Sequence, residues 1–263
     1  MIASEPARIS VPPAQLFGTL VRRPGAFWFD SAAPGHPSGR FSILGAAPYQ
    51  VFTSPNGTAR DALGDRCNAL GEGRAAPGDA SDALGALQRA LDGAGLGNFG
   101  ERPLAPLPFY GGAVGFLSYD LGRQIERIAE RHPPSGAVPD VHFGFYDGAF
   151  VHDHDTGQLW ITANGGPERV ARAFERLRGW LEAAAASPKG DVNPAPSCVS
   201  RAVQANISRS AYEASVRAAR QYIASGDIYQ VNLAQRFTLE EPPPAPELYH
   251  CLRTANPAPF GAY

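Results

Sequence analysis

Along the first 55 residues, short apolar runs alternate with turn residues, a pattern that predicts brief strands. Ala26-Phe27-Trp28-Phe29 reads as a buried strand entered through Pro24-Gly25 and ended by Asp30-Ser31. Arg40 to Gly45 and Tyr49 to Thr53 read as further strands, with Asn56-Gly57 supplying a turn. Leu84, Leu87 and Leu91, spaced by three and four, predict a helix over 80–91 capped by Asp79 or Ser81. Phe109 to Tyr119 is apolar and glycine-rich, which suits strands that bend or approach closely, and 120–126 reads as a turn or short helix. Val141 to Phe150 reads as one strand, paired as a hairpin with 158–163. Pro167 opens a long helix whose core face is Val170, Phe174, Leu177 and Leu181. Glu168 near its start and Arg176 and Arg178 further along suit the helix dipole.

Proline, glycine and polar residues then crowd 187–197, the best linker in the chain. The boundaries that follow are a first domain over 1–190, a linker over 191–200 and a second segment over 201–263. Beyond the linker, Ser208 or Ser210 caps a helix running to Ala224, with Tyr212, Val216, Ala219 and Ile223 expected to face a core. Gly226 stops it, a strand is predicted over 228–239 and a short helix over 246–252. Asn256 to Phe260 starts an extended stretch. Strands with hairpins, few helices and no regular βαβ alternation make the chain α+β.

Composition narrows the class without naming an activity. The 263 residues are 44% apolar and 18% charged with a formal net charge of -2, which fits a folded protein and offers no basic block for nucleic acid. Lys189 is the only lysine. Cys67, Cys198 and Cys251 form neither a disulfide framework nor a metal spacing. No apolar run approaches the length of a membrane span, and 1–11 lacks that of a signal peptide, so a cytoplasmic location with no membrane partner is expected.

Few residues suggest chemistry. Asp30 and Ser31 at a strand end suit the ammonium or carboxylate of a ligand, or simply cap a turn. Arg40 suits a carboxylate, or is a solvated strand residue. Gly111 to Gly115 lacks the Lys and Ser/Thr of a phosphate loop. His152 and His154, two apart, could share a metal with a third ligand or sit exposed in a turn. No G-x-S-x-G elbow is present. Gln230, Asn232, Gln235 and Arg236 read as the binding face of a strand for a polar dicarboxylate, or as a solvated sheet face.

Six pieces in order carry a resemblance: Phe27 to Ser31, Gly39 to Gly45, Phe109 to Glu126, Pro139 to Gly148, Gly226 to Phe237, and Asn256 to Phe260. Together they resemble the component I family of aminodeoxychorismate synthase and anthranilate synthase, in its amino-terminal part. The resemblance implies two antiparallel sheets packed as a sandwich around a cleft with flanking helices, here truncated. It implies conversion of chorismate, with magnesium and with ammonia from a glutamine amidotransferase partner, to 4-amino-4-deoxychorismate for 4-aminobenzoate and folate synthesis. Gln230 to Leu233, Ser118 to Arg123 and Gly144 to Asp147 favour that branch over anthranilate synthase. Salicylate or isochorismate relatives, and a non-catalytic module that binds tryptophan or docks the glutaminase, are the remaining alternatives. Asp30, Ser31, Arg40, Tyr229, Asn256, Pro257, Pro259 and Phe260 match or neighbour the family's tryptophan pocket. The family's catalytic residues and magnesium ligands match positions expected beyond Tyr263, so no catalytic or metal residue is expected here and the chain alone is expected to be inactive.

Overall fold

A computed structural model describes residues 1–33, 35–54, 83–96, 106–126, 138–187 and 203–263. The turn at Asn56, the cap at Asp79 or Ser81, Lys189 and the linker 191–200 lie outside them. The chain divides into two units, one of Met1–Val192 with Arg253–Tyr263 and one of Asn193–Leu252.

In chain order, the first unit holds strand β1 (Ile2–Pro6), helix α1 (Pro13–Leu20), strands β2 (Phe27–Asp30), β3 (Phe41–Gly45) and β4 (Gln50–Thr53), and helix α2 (Ala83–Gly93). Strand β5 (Gly112–Leu117) follows, then a 3-10 turn (Tyr119–Leu121) and the short helix α3 (Gly122–Ile125). Strands β6 (Val141–Tyr146), β7 (Gly148–Asp153) and β8 (Leu159–Asn164) lead into helix α4 (Pro167–Ala186). The fold is α+β, and the pairings are antiparallel in two sheets, ordered β1-β8-β7-β3-β2 and β4-β6-β5. Phe27 from the larger sheet packs with Val114 and Tyr146 from the smaller, joining the two.

Alternation explains which strand face is buried. Ser42 and Leu44 of β3 are fully buried while Phe41 and Ile43 are half-buried. Helix α4 buries Val170, Ala173, Leu177, Trp180, Leu181 and Ala184. Arg178 donates to Glu5 of β1, and Arg176 pairs with the buried Asp147. Helix α2 lays Ala83, Leu87, Ala90 and Leu91 against Phe52, Val141 and Phe145 of the smaller sheet. Gly115 is a close-approach position, since a Cβ there would run into the backbone carbonyl of His142 on β6.

The structure departs from the sequence reading in several places. Helix α1 stands where only strands and turns were expected; Pro13 fits its first turn, and Leu16, Phe17 and Leu20 are buried. Val141 to Phe150 is two strands, because the chain passes from the smaller sheet to the larger at Asp147. Leu84 is 40% exposed and lies off the buried face of α2.

The second unit shows strand β9 (Val203–Ala205), helix α5 (Arg209–Ser225), strand β10 (Phe237–Leu239) and most of helix α6 (Ala245–Ala255). Ser208 caps α5, its Oγ accepting from the Ala211 N–H, and Gly226 ends it in the left-handed region at φ 84°. The strand expected over 228–239 is reduced to Phe237–Leu239, which pairs antiparallel with β9. None of the described residues 203–252 is buried, so the face of Tyr212, Val216, Ala219 and Ile223 meets no core among the described residues of its unit.

Residues 253–263, placed by sequence in the second segment, belong to the first unit. Strand β11 (Gly261–Ala262) adds to the free edge of β2, with Gly261 opposite Asp30 and Ala262 opposite Phe29. Tyr263 and Trp28 exchange backbone hydrogen bonds of 2.9 and 3.1 Å, and the Tyr263 ring meets Phe17 edge-on at 4.9 Å.

Candidate functional site

The sequence-flagged residues Asp30 and Ser31 lie where β2 ends against the returning segment 253–263. Asp30 is 2% exposed. A buried carboxylate needs a cation and donors, and Arg253 supplies both: its Nε donates to one oxygen at 2.6 Å and its Nη2 to the other at 3.2 Å. The same guanidinium lies 4.7 Å over the Trp28 ring. Ser31 Oγ is within donating distance of the carbonyls of Phe41, 2.8 Å, and Pro259, 3.0 Å, and the Ala32 N–H donates to the Ala258 carbonyl.

Behind this turn, the hydroxyl of Ser42 accepts from the Ser31 N–H at 3.1 Å and lies 2.8 Å from His154 Nε2. Arg40 holds Asp153 with two hydrogen bonds, reaches Asp155 at 3.5 Å and covers the Phe41 ring. The Arg40 hydrogen bond holds the Asp153 carboxyl below its usual range. His152 and His154 stand edge-on with centroids 4.6 Å apart, and burial lowers both pKa values. Among the described residues no group of three His, Cys, Asp or Glu side chains is placed to hold a metal ion.

Of the eight sequence-flagged pocket residues, the structure brings Asp30, Ser31 and Pro259 together. Arg40 lies next to Phe41, whose carbonyl Ser31 reaches, but its guanidinium is committed to Asp153. Asn256 and Pro257 are exposed, and Phe260 is 80% exposed. Tyr229 belongs to the other unit and is 90% exposed. Of the amide-rich strand face, Gln230 and Asn232 are exposed, Gln235 donates to the Ile207 carbonyl, and the Arg236 N–H donates to Asn206 Oδ1. Sequence reasoning missed Arg253 and Ser42. The signal for Ser42 was a small polar residue at a buried position of an alternating strand. For Arg253 there was none, because its partner lies 223 residues away.

A separate open cleft of about 840 Å³ lies in the first unit between the start of β4, the end of α2 and the start of α4. Tyr49, Leu96, Tyr146, Asn164, Arg169 and Arg172 help line it, and none of the flagged residues does. Arg169 lies over the Tyr49 ring at 4.4 Å, and burial raises the Tyr49 phenol. The cleft therefore stands apart from the β2 turn and does not stand in for it.

Two antiparallel sheets joined through Phe27, Val114 and Tyr146, with the β2 turn closed by a returning segment, define the class of protein. The chain belongs to the family of chorismate binding enzymes, whose sequence pattern matches residues 26–263. It is 32% identical over 264 residues to aminodeoxychorismate synthase component 1 of Klebsiella aerogenes, covering 98% of this chain and 53% of that one. It is 31% identical over 270 residues to anthranilate synthase component 1 of Geobacillus stearothermophilus, covering 96% of this chain and 51% of that one. A crystal structure of anthranilate synthase component I from Streptococcus pneumoniae TIGR4 matches with a TM-score of 0.60 and 26% identity, over 86% of this chain and 47% of that chain. The chain thus spans about half the length of the curated relatives it matches. No helix among the described residues is long and apolar enough to cross a membrane.

Proposed function

We propose that this chain is the amino-terminal portion of an aminodeoxychorismate synthase component I. In that reading the whole protein acts in the cytoplasm. It converts chorismate, with magnesium and with ammonia from a glutamine amidotransferase subunit, to 4-amino-4-deoxychorismate for 4-aminobenzoate and folate synthesis. The observation that carries it is the match to the Klebsiella aerogenes synthase along 98% of this chain. A second reading, anthranilate synthase component I, is favoured by the Geobacillus stearothermophilus relative and the Streptococcus pneumoniae structure.

Electrostatics support assigning the chemistry to residues beyond this chain. Chorismate is a dianion, and holding it in a shielded site takes cations that are not already neutralised. Beside the β2 turn the arginines are engaged, Arg253 by Asp30 and Arg40 by Asp153 and Asp155. A tryptophan entering between β2 and 256–260 has to compete with Arg253 for the Asp30 carboxylate. The test is chorismate turnover by the purified 263-residue chain with ammonia and magnesium. No turnover above a no-enzyme control is expected, and turnover would overturn the assignment of catalysis to the remainder. Extending the chain with the downstream reading frame is expected to yield 4-amino-4-deoxychorismate. Anthranilate with release of pyruvate would establish the second reading. Calorimetric binding of tryptophan with no turnover by either protein would establish a binding module.

A further inference from the structure

The segment that follows α6 is fastened to the first unit through a turn whose hydrogen bonds run inward to a histidine. Ser31 reaches the Pro259 carbonyl through its hydroxyl, and the neighbouring Ala32 N–H holds Ala258. The Ser31 N–H in turn donates to Ser42 Oγ. Ser42 is fully buried, and its own proton has one acceptor among the described residues, Nε2 of His154 at 2.8 Å. This arrangement requires Nε2 to be bare.

A proton on Nε2 turns it from an acceptor into a donor to the hydroxyl oxygen, which also accepts from Ser31. The Ser42 proton, on a hydroxyl that is itself fully buried, then loses that acceptor, a loss that destabilises the network. The charges around the imidazole pull in both directions. Asp30 on β2, Asp153 at the end of β7 and Asp155 beyond it favour the charged ring, while Arg253 from α6 and burial oppose it. His152 packs edge-on against it, and the Arg40 carbonyl accepts from the His154 backbone N–H. Burial is the largest of these effects, and the ring's pKa is lowered.

We propose that His154 is a proton-sensitive latch on the segment Asn256–Tyr263. With a neutral ring, the Ser42 proton goes to Nε2 and the Ser42 oxygen anchors the Ser31 turn. With a protonated ring, Nε2 donates to the Ser42 oxygen instead of accepting from it, the Ser42 proton is left seeking another acceptor, and the Ser31 turn and its hold on Pro259 loosen. The latch is closed at neutral pH and opens as the pH falls through the histidine's titration.

Amide hydrogen exchange on the full chain tests this. The reporters are the amides of Ser31, Ala32 and Tyr263, which bond to Ser42 Oγ, Ala258 and Trp28. The reference is the Asn164 amide, which bonds to Asp147 away from the latch. After correction for intrinsic rates, reporter protection is expected to fall at least about fivefold relative to Asn164 between pH 7.5 and 5, the low end for orphaning one buried donor. In His154→Gln, whose amide oxygen accepts without titrating, the fall is expected to vanish. Reporters that track Asn164 at every pH, or a fall that persists in H154Q, would overturn the proposal. Should H154Q not fold, Ser42→Ala must flatten the profile as well, since it has no proton to orphan. In the unaltered protein, NMR titration of the imidazoles must place the loss at the His154 midpoint; a loss following His152 also overturns it.

Discussion

Replacing Arg253 by methionine keeps most of the side chain's length and removes its charge. Asp30 then keeps a buried carboxylate, 1% exposed at the side chain, without the 2.6 and 3.2 Å hydrogen bonds that Arg253 supplied. Breaking one partner out of a buried pair costs about 3–5 kcal/mol. Arg253 is 23% exposed at the side chain, so solvent moderates the loss, and about 2–4 kcal/mol is the scaled expectation. Trp28, Trp160 and Trp180 are the chain's three tryptophans and all lie in the first unit, so their fluorescence during urea unfolding reports that unit. The midpoint is expected to fall with little change in slope. Asp30→Asn in the R253M background should recover part of the loss, because an amide is cheaper to bury than a carboxylate that has lost its guanidinium. With Asp30→Asn alone as the fourth protein, the set closes a double-mutant cycle with a coupling of about 1 kcal/mol or more. An R253M variant within about 0.5 kcal/mol of the parent, the usual range for an uninvolved surface position, would refute the view that this ion pair fastens the returning segment.

Two further predictions concern pH and packing. Burial lowers the pKa values of His142, His152 and His154, so between the folded and unfolded values the unfolded chain binds more protons. Thermal melts should therefore show stability fully present above about pH 6.5 and declining as the pH falls through the lowered folded values; a midpoint unchanged from pH 7.5 to 5 would contradict the partial desolvation of these rings. Glu5 and Asp153, lowered by Arg178 and Arg40, add a second decline below the usual carboxylate range. Gly115→Ala forces a methyl into the His142 carbonyl, and strand backbone yields little. The loss should reach or exceed the ~1–3 kcal/mol typical of overpacking, read from the same urea transition, and a neutral substitution would show that β5 and β6 are not so closely apposed.

Where local pattern and tertiary contact agreed, the fold was legible. The β7–β8 hairpin and α4 announced themselves through alternation, turn residues and an apolar face that finds the larger sheet. Helix α1 did not: the first 55 residues read as brief strands and turns, although Pro13 suits a helix's first turn. Val141 to Phe150 hid a change of sheet because the run is apolar on both sides of Asp147, and Asp147 is tolerated there by its pairing with Arg176 on α4. The opposite error fell at 228–239, where the sequence promised a strand but, among the described residues, only Phe237–Leu239 pairs with another strand. Of the candidate site, Asp30 and Ser31 stood out as polar residues ending an apolar strand. Their partners did not, since a pairing of Asp30 with Arg253 is written in no local spacing.

The larger sheet takes one edge strand from each end of the chain. Strand β11 caps β2 only when Gly261 comes opposite Asp30, some 230 residues later in the chain. At typical synthesis rates of about 5–20 residues per second, β2 emerges from the ribosome roughly ten to fifty seconds before its partner does. During that interval its backbone donors and acceptors, and the half-exposed ring of Phe29, form an open strand edge. The nascent chain must keep that edge from pairing with neighbours, so chaperone dependence and self-association should depend on how fast residues 31–260 are translated.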